Sequence, residues 1–134
     1  MRSGNCYKIK LLAALVGIKH EWVPVDVMTG ETRTGDFLAK NPNGKVPVLE
    51  LDDGRMLWES NAIIDYLATD TVFLPKDRFL HAQVLQWQFF EQYDHEPNVA
   101  VARHWLIHGV SHDPAALEAK QVAGIGDGAI VLVL

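Results

Sequence analysis

The stretch that most constrains this chain is residues 41–51, NPNGKVPVLEL, which sets a Pro-Asn-Gly turn and a second proline directly in front of an apolar run. Valine and leucine in alternation after a turn read as a strand, and an X-Pro bond takes the cis form at modest cost. A cis bond between Val46 and Pro47 at the strand entrance would leave the backbone of Val46 open for an extended peptide to pair with. Glu59, Ser60 and Asn61 follow at a helix start, where a hydroxyl and unpaired amide N–H groups make an anion receptor. The two segments together imply a pocket for a small acidic peptide.

The rest of the chain frames that pocket. Residues 5–16 carry Ile9, Leu12, Leu15 and Val16 at helical spacing with Gly17 just beyond, and Ser3, Gly4 and Asn5 lead into them. Residues 21–27, EWVPVDV, predict a strand, at a sheet edge because of Pro24. Residues 34–40 predict a short helix. Strands follow at 48–51 and 55–58, joined by Asp52-Asp53-Gly54, a hairpin signal. Ser60 is the expected N-cap of a helix over 61–68. The order α, β, α, β, β, α is a thioredoxin-like unit lacking its opening strand.

Residues 71–77 have the composition of a linker, with Pro75 barring an easy helix. From 78 to 109 the pattern is helical, with Leu80, Val84, Trp87 and Glu91 at spacings of three and four and a kink expected at Pro97. Asp113-Pro114 predicts a further helix over 114–121. The tail at 129–134 is rich in isoleucine, valine and leucine; it reads either as a loosely packed end or as a strand returning to the sheet.

The motifs NPNGKVPVLELDDGRMLWESNAIIDYL and SGNCYKIKLLAAL resemble the cytosolic glutathione S-transferase family, in its bacterial form with a serine or asparagine entrance. The resemblance covers roughly the first 110 residues. It implies an α/β fold: a thioredoxin-like N-terminal domain, its first strand missing, at 1–70, a linker at 71–77, a partial all-α glutathione-transferase C-terminal domain at 78–122, and an atypical tail at 123–134. The implied function is transfer of glutathione, as co-substrate, to a small hydrophobic electrophile, a detoxification chemistry, or reduction of a mixed disulfide. The alternatives are a non-catalytic thioredoxin-fold interaction module and an inactive truncated product.

The resemblance also assigns residues. Ser3 stands where serine-type members place the catalytic hydroxyl, and Asn5 where some bacterial members place an assisting amide. Val46 would pair through its backbone with the cysteinyl part of glutathione, and Pro47 would fix that geometry. Glu59 would meet the γ-glutamyl ammonium, Ser60 its carboxylate and Lys45 the glycyl carboxylate. Cys6 is either a redox thiol with a depressed pKa at the helix start or a small buried hydrophobe.

Composition excludes other classes. The 134 residues are 49% hydrophobic with a net charge of −5, and the basic residues are scattered, so neither nucleic acid nor an anionic membrane surface is an expected partner. No apolar run approaches the ~20 residues of a membrane span. A single cysteine excludes an internal disulfide and makes a reducing cytoplasm the expected compartment. His104, His108 and His112 recur every four residues, but no carboxylate-rich surround supports them, so no metal is expected. The aromatic helices at 61–68 and 78–109 predict a homodimer.

Overall fold

The computed structural model describes residues 3–109 and 113–131, the last seven of these as backbone only. They fall into two compact units divided between Lys76 and Asp77.

In the first unit, α1 (Gly4–Val16) begins at Ser3, whose hydroxyl accepts from the Cys6 amide at 3.3 Å. It ends at Gly17, which takes the left-handed conformation (φ 73°) and turns its N–H back on the carbonyls of Ala13 and Ala14. A 3-10 turn (Glu31–Arg33) leads to the short α2 (Gly35–Lys40), capped by Thr34. β1 (Val48–Glu50) and β2 (Met56–Trp58) form an antiparallel hairpin in which Val48 faces Trp58 and Glu50 faces Met56. Its turn uses Gly54 at φ 84°, where residues with a Cβ are disfavoured. α3 (Ser60–Ala68) packs against α1 and the hairpin. Ile9, Leu12 and Ala13 of α1 and Ile63 and Ala68 of α3 form the buried apolar centre, with Ile63 fully excluded from solvent.

One expected element differs. Residues 21–27 form no strand. Pro24 removes a donor, and the described sheet contains only β1 and β2, so no neighbouring ladder satisfies this segment. The alternating valines imitate a strand pattern, yet Trp22 and Val23 are exposed. Local contacts hold the segment instead: Lys10 Nζ lies 5.2 Å from the centroid of the Trp22 ring, and His20 meets that ring edge-on.

The second unit is helical. Asp77 caps α4 (Arg78–Phe90) by accepting from the amides of Phe79 and Leu80. The expected kink at Pro97 takes the form of a ten-residue π-helical segment, Glu91–Ala100. Proline cannot donate within the helix, and side chains contribute polar contacts around it: Asn98 Nδ2 donates to the Asp94 carbonyl and Lys120 Nζ to the Pro97 carbonyl, each at 2.7 Å. α5 (Val101–His108) ends at Gly109, φ 60°. α6 (Pro114–Val131) extends past the expected end at 121, so residues 129–131 are helical and do not form the strand considered for them. Residues 132–134 of that tail lie outside the described residues. Among the described residues, no helix is long and apolar enough to cross a membrane.

Candidate functional site

The candidate site is built on the turn before β1. Asn41, only 2% exposed, donates from Nδ2 to the Lys45 carbonyl at 2.7 Å and accepts the Asn43 amide on Oδ1 at 3.0 Å. Gly44 closes the turn at φ 62°, where a Cβ would lie 2.5 Å from Arg33 Nη1 and 2.9 Å from the Thr32 carbonyl oxygen. Arg33 Nη1 donates to the Asn43 carbonyl at 3.3 Å. The chain leaves this bracket with a cis Val46–Pro47 bond, and the backbone N–H and C=O of Val46 make no hydrogen bond to the described residues. Asn41, Thr32 and Arg33 were not among the candidate residues. The signal for Asn41 lay in the Asn-Pro-Asn-Gly run, since an asparagine side chain bonds its own backbone two residues on.

At the start of α3, Glu59 occupies the cap position at φ 70° and ψ 113°, a conformation that costs a non-glycine residue on the order of 1–3 kcal/mol. Its side chain does not cap the helix and is exposed. Ser60 is therefore not the N-cap expected of it but the first residue of the helix. Its hydroxyl is directed away from its own backbone and donates to Asn5 Oδ1 at 3.4 Å. The first-turn amides of α3 receive no side-chain cap from Glu59, and a helix offers them no internal acceptor. One turn along α1, Lys8 Nζ donates to Asn61 Oδ1 at 2.7 Å, so two polar links join the N-terminal ends of α1 and α3.

Ser3 and Cys6 form a second cluster at the same end of α1. Ser3 Oγ accepts the Cys6 amide at 3.3 Å, which sets its hydroxyl beside the Cys6 side chain. Burial pushes the Cys6 thiol above its usual pKa, and the Ser3 contact only partly opposes this. The direction is the reverse of the depressed value that a redox thiol at a helix start requires.

The structure thus brings Asn5 and Ser60 into direct contact and Ser3 beside Cys6. Val46 and Pro47 lie just ahead of β1, which packs on α3. Lys45 is exposed, and its ammonium makes no ion pair with the described residues. In the second unit, the His104 and His108 rings have centroids 4.6 Å apart, and His112 lies outside the described residues.

Comparison with known proteins gives a consistent result. Residues 2–70 match the family described as glutathione S-transferase, N-terminal domain. The crystal structure of a glutathione S-transferase from Pseudomonas fluorescens is 52% identical, with a TM-score of 0.90 over 96% of this chain and 65% of its own. The glutathione transferase URE2P6 from Phanerochaete chrysosporium, solved in complex with oxidized glutathione, is 25% identical, with a TM-score of 0.83 over 96% of this chain and 62% of its own. Protein URE2 of Eremothecium gossypii is 34% identical over 124 residues, which are 85% of this chain but only 35% of that protein. The fold is therefore the thioredoxin-like N-terminal domain followed by helices of the α C-terminal domain, and the chain spans about a third to two thirds of these relatives.

Proposed function

This chain belongs to the glutathione S-transferase family, and from that premise we propose that it binds glutathione at the joined ends of α1 and α3 and directs the bound thiolate onto a small hydrophobic electrophile. The observation that carries this reading is the Ser60–Asn5 bond. It places the Asn5 side chain of α1 beside the start of α3, which Glu59 leaves without a side-chain cap, and α3 in turn packs on the strand that follows cis-Pro47.

In this reading the cysteinyl backbone of glutathione pairs with the unpaired amide and carbonyl of Val46, which Pro47 presents. The γ-glutamyl carboxylate sits on the first-turn amides of α3 at Ser60, where the helix dipole favours an anion. Glu59 meets the γ-glutamyl ammonium and Lys45 the glycyl carboxylate. Ser3 and Asn5 supply donors to the sulfur: the Ser3 hydroxyl gives its proton to the glutathione sulfur, while its oxygen continues to cap α1 by accepting the Cys6 amide. A thiol of pKa about 8.5 is mostly protonated at pH 7, and donors to the thiolate lower that value. The thiol proton passes to solvent, the C–S bond forms to the electrophile, and the leaving group departs with its electron pair.

The relative solved in complex with oxidized glutathione supports the binding of glutathione. Reduction of a mixed disulfide through Cys6 is the weaker reading, because that chemistry needs a thiolate where burial favours the thiol. We further place the protein in the cytoplasm as a homodimer, the exposed Tyr66 of α3 and Phe79, Leu80, Trp87 and Phe89 of α4 supplying apolar surface for an interface. Retention on immobilised glutathione, elution by free glutathione and turnover of a chlorinated nitroarene test the proposal. A protein that flows through unretained and leaves the electrophile unchanged refutes it.

A further inference from the structure

We infer that His104 and His108 of α5 form a surface site for a divalent transition cation of the zinc or nickel class, held by one nitrogen of each imidazole. The inference uses none of the residues assigned to glutathione and stands or falls apart from that reading.

The physical argument starts from helical spacing. Residues four apart project from one face of a helix, one turn from each other. On α5 the two rings meet, with centroids 4.6 Å apart and planes tilted by 45°. An ion about 2.1 Å from one nitrogen of each ring lies a little over 3 Å from each ring centre. At bond angles of about 90–110° around such an ion, the two centres then stand about 4.5–5.3 Å apart. The observed separation falls in that range, so the helix already holds the rings at the distance that ligation needs.

Availability is the second condition. Both histidines are exposed, and their ring nitrogens make no hydrogen bond or ion pair to the described residues, so an ion has only water to displace. Arg103, Leu106 and Ile107 of the same helix line a groove against α6, and the histidines lie off it. Gly109 ends α5 directly after His108, which puts the ion at the negative end of the helix dipole.

The donor set then selects the ion. Neutral imidazole suits zinc, copper and nickel, whereas magnesium and calcium demand oxygen ligands. Among the described residues no group of three His, Cys, Asp or Glu could hold a metal, so water fills the remaining positions and the site is reversible rather than structural. The sequence offered the spacing of four, but no carboxylate-rich surround. A site made of two imidazoles needs no such surround, and the ring separation supplies what the spacing alone did not.

The test is a calorimetric titration of the full chain with zinc ion, without glutathione, in a non-chelating buffer at about pH 7.5, where an exposed imidazole keeps its lone pair. The parent should bind saturably at submillimolar zinc, and magnesium at the same concentration should not compete. His104→Gln and His108→Gln should each weaken binding about tenfold or more, because two linked ligands hold an ion far better than one. The two losses should not add in the double variant, since either substitution already breaks the chelate. His20→Gln should bind as the parent does. Zinc should also raise the melting temperature of the parent and leave that of the double variant unchanged, while all variants melt alike in the presence of a chelator. The inference is overturned if the parent shows no saturable binding at submillimolar zinc, or if the double variant binds zinc as tightly as the parent.

Discussion

Asn41→Ala removes the side chain that shapes the approach to Val46. Two hydrogen bonds go: Nδ2 to the Lys45 carbonyl at 2.7 Å and the Asn43 amide to Oδ1 at 3.0 Å. Each contributes about 1 kcal/mol net, and the side chain is almost wholly buried, so the space it leaves adds to the cost. Lys45 and Asn43 are themselves exposed, so water partly replaces the lost partners and limits the total to about 2–3 kcal/mol. For a unit of this size that corresponds to a fall in Tm of about 10–20 °C, measured by circular dichroism. With residues 42–46 released, affinity for glutathione should fall about tenfold in calorimetry, close to 1.4 kcal/mol. Asn41→Asp keeps the acceptor and loses the donor, and should lose about half as much stability. A parent-like melt with parent-like affinity in Asn41→Ala would show that the turn does not depend on this side chain and would refute the reasoning.

Ser3→Ala should lower kcat for conjugation about tenfold or more while leaving glutathione affinity near that of the parent, since it removes a donor to the thiolate; the loss of the α1 cap should cost about 1 kcal/mol in a thermal melt. Steady-state kinetics beside calorimetry checks both. Cys6 should alkylate more slowly with iodoacetamide at pH 7 than a free cysteine and accelerate only at higher pH, because burial favours its neutral form. By linkage, its contribution to stability is present below the unfolded pKa near 8.5 and is lost as pH rises through the higher folded value, which melts across that window will show. Sedimentation at micromolar concentration should give twice the chain mass of 15.0 kDa; the single-chain mass would contradict the dimer.

Much of the first unit was legible because its signals are local. Ser3 and Gly17 bracket α1, Asp52-Asp53-Gly54 turns the hairpin, and Val46-Pro47 marks the strand entrance. The segment 21–27 misled because strand formation depends on a neighbour, and alternation along a sequence does not report whether one exists. Ser60 has the composition of a cap, but Glu59 turns into positive φ one residue earlier and sends the hydroxyl to α1. That contact spans 55 positions of sequence, and no local pattern encodes it. The rise in the Cys6 pKa was hidden for the same reason, since it depends on what buries the sulfur and not on its place at a helix start. The helical course of residues 129–131 went against the strand preference of their side chains, which tertiary and helical context overrides.

The most direct test of the account is a titration of nitrogen-15-labelled protein with reduced glutathione, followed by amide resonances. The account predicts saturable shifts at Val46, Asn5 and Ser60, with the amides of α4 and α5 unmoved. Saturable shifts confined to α4 or α5, or none at Val46 and Ser60 at millimolar glutathione, would contradict it.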